Sequence, residues 1–369
     1  MRAAVLNDVH TPLRIEELQE PSPRAGEVLI DVAGCGVCHT DLHVVKYEVA
    51  FPMPCVLGHE ISGTVLEVGE GVTDVAPGDR VASSFMMPCG TCRHCVRGHE
   101  DLCESFFAYN RLKGVLYDGE TRLRRADGTP VWMYSMAGLA ERCVVPATDV
   151  FPLPASLDLV SAAVLGCSVF TALGAVRNVA ELKVGETVAV LAVGGVGTNI
   201  IQVAKAYGAS RIIAVDLVAE KLDLARDLGA TDTIDASDGD AAERIRELTD
   251  GRGVDVAFEA LGHPTTVDAA IRSVDDGGRA VLVGIAPKGV TASFDITHVV
   301  RRKIRVLGSY GARARTDMPM VLQLAAEGKI DLERLITRRV PLVDASDTYD
   351  ALARGEIVGR AVVDLASSD

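Results

Sequence analysis

Four cysteines within fifteen residues constrain this chain more than any other feature: Cys89-Gly-Thr-Cys92-Arg-His-Cys95, then Cys103 after seven intervening residues. Four thiolates so spaced close a tetrahedron around Zn²⁺ with no position left open, which predicts a structural site. A ferredoxin-type iron–sulfur cluster needs three residues before its fourth cysteine and a proline after it; here the gap is seven and Glu104 follows. Disulfides are the remaining alternative. The chain has nine cysteines, an odd number, and residues 1–8 lack the apolar core of an export signal. Metal binding in a reducing, cytoplasmic compartment is therefore the expectation.

Leu57-Gly58-His59-Glu60 reads as half of a second metal site. A histidine beside a glutamate is common by chance, but Cys38 stands twenty-one residues before His59, in Cys38-His39-Thr40-Asp41-Leu42-His43, and Cys167 stands far downstream. Thiolate and neutral imidazole suit Zn²⁺, and two cysteines with one histidine leave a fourth position for water or substrate, the mark of a catalytic ion. No local spacing ties Cys167 to the other two. Cys35, Cys55 and Cys143 carry no such pattern and are expected as buried core thiols.

At 369 residues the chain exceeds what one hydrophobic core usually serves, so two domains are expected. Its formal net charge of −14 disfavours nucleic acid as a partner. No apolar run reads as long enough to span a bilayer, so no membrane is expected. Residues 1–85 read as β-rich, with strands at 28–32 and 63–69 and a turn into a strand at 75–81. Residues 104–137 read as a long polar surface loop with a hairpin about Asp127-Gly128, and 140–145 returns to strand.

From about residue 160 the texture changes. Residues 161–179 are rich in Ala and Leu and read as helix. Strands at 187–191, 211–216, 254–259 and 279–284 then alternate with helices at 199–207, 221–228 and 265–273. Continuous apolar strands alternating with helices predict an α/β fold with a doubly wound parallel sheet. Helices at 319–328 and 345–355 and a strand at 361–365 complete the chain.

The first of those strands runs into Gly194-Gly195-Val196-Gly197, which opens a helix. In that context a glycine-rich turn places a dinucleotide pyrophosphate on the helix N-terminus. Gly194 and Gly197 hold the second and third fingerprint positions, and Ala192 replaces the first glycine. Alanine is compatible there only if that turn needs no positive φ. Asp216 ends the next strand, nineteen residues after Gly197, and Leu217 follows. A carboxylate there accepts the ribose hydroxyls and repels a 2′-phosphate, which predicts NAD over NADP.

With Cys38, His59, Glu60, the four-cysteine lobe, Cys167 and the glycine turn in this order, nearly the whole chain resembles the zinc-containing alcohol dehydrogenases of the medium-chain dehydrogenase/reductase superfamily. The resemblance implies a GroES-like β-rich catalytic domain at 1–168 and 310–369, with a structural-zinc lobe at about 89–103, and a Rossmann domain at 169–309. Cys38, His59 and Cys167 resemble the catalytic zinc ligands, with Glu60 the glutamate that approaches the metal and Asp41 the carboxylate that orients the histidine. Cys89, Cys92, Cys95 and Cys103 resemble the ligands of the structural ion, giving two zincs per chain. Thr40 and His43 resemble a relay that carries the alcohol proton to solvent. His39, Thr171, Gly194, Gly195, Val196, Gly197, Asp216, Lys221, Val283 and Arg360 resemble contacts of NAD.

What this implies is reversible oxidation of a primary, or secondary, alcohol by hydride transfer. The glutathione-dependent formaldehyde branch carries an acidic residue near Val49 and an arginine near Phe107; both places are apolar here, as is Phe85, which favours neutral apolar substrates. A non-catalytic zinc- and nucleotide-binding protein is the alternative from another class. The long 104–137 segment resembles dimeric members, so a homodimer is expected before a tetramer.

Overall fold

The structure, a computed structural model, describes residues 1–366. Contacts divide the chain into two compact units. Met1–Phe170, Arg313–Ala326 and the stretch from Ile336 onward form the first; Thr171–Ala312 and Glu327–Leu335 form the second. The chain thus leaves the second unit twice, where a single return at 310 was expected. The short excursion is held by Gln202, whose side-chain oxygen accepts the Asp331 amide at 2.7 Å, and by buried Ile330.

The first unit is built on the strand Glu27–Val37, eleven residues buried at all but one position. It pairs antiparallel with Ile61–Val68, Arg142–Pro146 and Arg360–Asp364. The last of these pairings, with Val362 opposite Gly36, brings the C-terminal strand home to the first unit. Val150–Pro152, Arg80–Ser83 and Ile336–Pro341 extend this sheet, and a second sheet orders Arg14–Glu17, Arg2–Leu6, Cys55–Val56, Pro130–Met133 and Leu123–Arg124. Cys35, Cys55 and Cys143 are fully buried thiols, and none of the nine cysteines is in a disulfide.

Three expectations are corrected here. Residues 104–137 are not simply a surface loop: they hold the helical turn Phe106–Arg111, and the expected hairpin about Asp127-Gly128 is present as Leu123–Arg124 with Pro130–Met133. Part of their polar content is buried with partners, as where Asn110 donates to Ser135 O and Arg122 to Glu27, while Lys113, Asp118, Glu120 and Asp127 stay exposed. Residues 161–179 are not one regular helix: Ser161–Gly166 and Ser168–Leu173 are separated by Cys167, at φ −129° and ψ −71°. That stretch is also long and apolar enough to cross a membrane, which no run was expected to be. In the fold 78% of it is buried, as in a core helix.

In the second unit six parallel strands take the order Asp232–Asp235, Arg211–Asp216, Thr187–Leu191, Val254–Glu259, Val274–Leu282 and Arg305–Gly308. In order of sequence this is 3-2-1-4-5-6, the doubly wound arrangement with its switch point between the first and fourth strands. Ala189, Leu191, Ile213, Val215 and Ala257 form the middle of its core with helix residues Ile245, Ala269 and Ala270. Burial on both faces is why these strands read as unbroken apolar runs.

Candidate active site

Cys38 ends the extended run of the central strand and caps the helix His39–Val45 with φ −131° and ψ 150°. Its thiol is thereby delivered next to His59, which precedes the strand Ile61–Val68. Cys167 arrives from the break between two helical segments. The Cys38, His59, Glu60 and Cys167 donor atoms all lie within 4.8 Å of one another, and all four residues are buried. Glu60 fits because the neighbouring strand carries Gly36: a Cβ there would stand 2.0 Å from Glu60 Oε2.

His59 is held by its other nitrogen. Its Nδ1 lies 3.0 Å from Asp41 Oδ1, which also accepts the Gly58 amide at 3.1 Å. Asp41 Oδ2 accepts the Tyr349 hydroxyl at 2.9 Å. Nε2 therefore faces the cluster, where it is buried with no hydrogen-bond partner. Such a carboxylate–imidazole pair fixes the tautomer of a metal-ligating histidine.

The charges point the same way. The Cys38 thiol is held well below its usual range by a hydrogen bond with Cys167, against the effect of burial and helped by His59 and Arg360. The same hydrogen bond, with burial, pushes Cys167 up. Burial pushes Glu60 up to about 7 despite Arg360. Burial opposes a charge on His59, yet Asp41 and Cys38 raise its pKa well above the usual value. A field that holds a proton on a buried imidazole also favours a metal cation there. With thiolate, thiolate and imidazole converging on an orphaned nitrogen, the donors fit Zn²⁺ with one position open.

The four-cysteine lobe closes on itself. Cys89, Cys92, Cys95 and Cys103 place their sulfurs within the same mutual limit. Cys89 Sγ accepts the Cys92 amide at 3.3 Å, and Cys103 Sγ accepts the amides of Cys89 and Phe106 at 3.3 and 3.4 Å. Amides aimed at sulfur favour thiolates, so four sulfurs and no further donor fit a closed zinc site. Arg315, on the helix Ala314–Ala326, pairs with buried Glu100 and donates to Cys95 O at 3.2 Å, fastening the lobe to its unit.

In the second unit Gly194 caps the helix Gly195–Ala206. A Cβ on Gly197 would stand 2.1 Å from Ala192 O, so only glycine permits that approach of helix to strand. Ala192 itself adopts φ 70°. The condition set on the sequence, that this turn need no positive φ, is not met; the alanine sits in the left-handed region. Asp216 Oδ2 accepts the Val193 amide at 2.9 Å, so the carboxylate at the strand end also anchors the glycine turn. Lys221 lies on the helix Ala219–Leu228 just beyond it, and Val283 follows the strand Val274–Leu282. These residues meet at the carboxyl edge of the sheet, where dinucleotides bind in such folds. Thr171 lies on the helix Ser168–Leu173.

Residues 24–155 match the alcohol dehydrogenase GroES-like domain and residues 195–327 the zinc-binding dehydrogenase domain. Over 369 residues the chain is 36% identical to the S-(hydroxymethyl)glutathione dehydrogenase of Escherichia coli O139:H28, with 98% of this chain and 99% of that one covered. The chain belongs to the zinc-dependent alcohol dehydrogenase family. Benzyl alcohol dehydrogenase from Acinetobacter calcoaceticus superposes with a TM-score of 0.92 at 28% identity over 99% of both chains. A zinc-binding dehydrogenase from Sinorhizobium meliloti, bound to NADP, superposes at 0.82 with 30% identity over 99% of both. As a member of this family the protein is an oxidoreductase that acts on CH–OH groups with zinc and a nicotinamide cofactor.

Within this alcohol dehydrogenase fold the remaining residues fall as follows. His39 is exposed at the head of its helix, and Thr40 Oγ1 lies 3.6 Å from Cys38 Sγ. His43, one turn on, pairs with Glu48. Arg360 is 5% exposed and pairs with Glu60, its charge balancing the acids of the centre. Phe85, Met86 and Met87 are buried, and the Phe85 ring stands edge-on to His59 at 6.2 Å and to Phe170 at 6.1 Å.

Two residues escaped sequence reasoning. Tyr349 reaches Asp41 across 308 residues, a distance no local pattern signals. Arg111 stacks 4.4 Å above the ring of buried Tyr134, whose hydroxyl lies 3.4 Å from Thr40 O. Its place one helical turn after Phe107 is the signal that could have found it.

Proposed function

We propose that this dehydrogenase interconverts neutral, predominantly apolar primary alcohols and their aldehydes, using NAD. Its zincs are proposed as one at Cys38, His59 and Cys167, and one at Cys89, Cys92, Cys95 and Cys103. Phe85 carries the substrate reading: an aromatic ring stands edge-on to the His59 imidazole at 6.2 Å, itself packed on Phe170. Asp216 supports NAD, since a carboxylate at the strand end repels a 2′-phosphate and exposed Leu217 offers it no cation. The long 104–137 segment supports a homodimer, and the unbridged thiols suit a cytoplasmic setting.

Zinc at the first site supplies a Lewis acid that eases deprotonation of an alcohol and polarises a carbonyl, and nicotinamide supplies the hydride acceptor. The chain does the rest. Asp41 and Tyr349 fix the imidazole of His59. Thr40, beside Cys38, takes the alcohol proton and hands on its own. His43 lies on the same helix face three residues later and passes it toward water. Phe85 and Phe170 keep water from the reacting carbon. Arg360 offsets the charge of Glu60.

The test is NADH formation from a graded series of alcohols, with NADP in parallel and with a zinc chelator. Chelator-sensitive turnover that rises with apolar bulk is expected; activity with NADP alone, or none on any alcohol, would refute the reading. A second reading is a glutathione adduct of formaldehyde. Arg111 over Tyr134 favours it, because a guanidinium near Thr40 could meet a substrate carboxylate. Formaldehyde with glutathione belongs in the same series, and an Arg111→Ala variant that loses only that activity would select it.

A further inference from the structure

The helix His39–Val45 ends in a turn that returns Glu48 to His43. The Glu48 amide donates to His43 O at 2.8 Å and the Tyr47 amide to Val44 O at 3.0 Å. This is the six-to-one and five-to-two pattern of a Schellman stop. Such a stop calls for glycine in the left-handed position, and Tyr47 occupies it at φ 57° while 59% exposed. An L residue adopts that conformation only at a cost, and such strain marks a place where geometry matters. An apolar contact usually closes this motif. Here a side-chain hydrogen bond takes its place, between His43 Nδ1 and Glu48 Oε2.

We infer that Glu48 is a positioning residue for the proton relay, acting through His43. The inference rests on the proposed role of His43. With Nδ1–H donated to the carboxylate, the imidazole is held in the tautomer whose Nε2 carries a lone pair. Nε2 is then the atom that accepts the proton passed outward from Thr40. The imidazolium so formed keeps its Nδ1–H on Glu48 and gives the Nε2 proton to water or buffer, so the pair returns to its starting state. The side chains of His43 and Glu48 are 27% and 34% exposed, which places the end of the relay at solvent. Without Glu48 the ring can flip or take the other tautomer, and only part of the population has an acceptor facing inward.

The experiment compares Glu48→Ala, Glu48→Gln and His43→Gln in the zinc-loaded enzyme, each checked for zinc content and Trp132 fluorescence. Steady-state alcohol oxidation is measured at saturating cofactor, at fixed pH, with rising concentrations of imidazole buffer. Glu48→Ala is expected to lower kcat about tenfold, as for other partners that orient a functional histidine, with KM for the alcohol nearly unchanged. Imidazole should restore much of the loss. Glu48→Gln keeps an acceptor for Nδ1–H and should recover most of kcat. A Glu48→Ala enzyme with unchanged kcat, a loss that imidazole does not restore, or a Glu48→Gln enzyme no better than alanine would overturn the inference. If Glu48→Ala has no effect while His43→Gln is slow, the relay stands and Glu48 alone is wrong. If His43→Gln is also fully active, the relay itself falls.

Discussion

Gly36→Ala tests how the metal centre is fitted into the sheet. Gly36 lies in a strand with no positive φ, so the backbone accepts alanine and should even favour it over glycine by about 0.5–1 kcal/mol. The obstacle is one side chain. A Cβ at Gly36 would meet Glu60 Oε2 at 2.0 Å, Cδ at 2.7 Å and Cβ at 2.9 Å, where ordinary contact begins at 3.4 Å. The carboxylate must withdraw by roughly 1.4 Å, and its other oxygen holds Arg360, which is equally buried. Overpacking costs about 1–3 kcal/mol, rising toward 3–5 kcal/mol if the buried pair breaks. In a Glu60→Ala background the carboxylate is gone and only the Cβ contact at 2.9 Å remains, so alanine in place of Gly36 should cost much less although that background is itself weakened. The assay is urea unfolding followed by Trp132, the only tryptophan, which lies in the first unit. A coupling energy of at least about 1 kcal/mol is expected; a Gly36→Ala cost equal in both backgrounds to within about 0.5 kcal/mol would refute the reasoning.

Other outcomes follow from the same geometry. Ala192→Gly relieves a left-handed alanine, worth about 1–2 kcal/mol, against about 0.5–1 kcal/mol for the extra freedom of glycine. A small rise in melting temperature with unchanged NADH affinity is expected, and a fall would contradict it. Asp149 is fully buried with one oxygen unpartnered, and burial holds its pKa well above the carboxylate range despite its bonds from Ser84. The native state then binds more protons than the unfolded chain, so this group's contribution is intact near pH 4 and is lost as pH rises toward the raised pKa. Asp149→Asn should therefore gain stability over the parent between pH 5 and pH 8 in melts across that range. Arg315→Ala strands the carboxylate of Glu100, 3% exposed, and frees Cys95 O. Transfer of structural zinc to a chromogenic chelator should accelerate about tenfold, the effect of roughly 1.4 kcal/mol, with the other zinc unaffected.

How much of this was legible beforehand depended on where each element's partners lie. In the second unit Thr187–Leu191, Arg211–Asp216 and Val254–Glu259 were read to the residue, because helices cover both faces of a parallel sheet and leave the strands almost no polar position. The segment 104–137 misled for the opposite reason. Asn110, Thr121, Arg122 and Ser135 look like surface residues, yet they are buried and matched to Ser135 O, Val131 O, Glu27 and Phe85 O. Composition records polarity and is blind to whether a polar group has found a partner. The same limit hid Arg360, whose partner Glu60 lies 300 residues away.

The candidate metal-binding residues were legible for a further reason: their residue types make sense only together. Cys38, Cys167, Asp41 and Glu60 are four acids in one buried cluster, and among the described residues Arg360 and His59 are the cations set among them. Isolated buried charges of one sign are expensive unless paired. Ionised together, two thiolates and two carboxylates exceed what one guanidinium can balance. The two thiols share one hydrogen bond, which holds Cys38 down and, with burial, pushes Cys167 up. A divalent cation resolves it where a second arginine would not, because it can sit within reach of both sulfurs and the free imidazole nitrogen at once. The burial of the cluster and its chemistry are thus one fact. Enclosing these acids away from water is stable once a divalent cation offsets their charge, and the donors gathered there are ones that fit Zn²⁺.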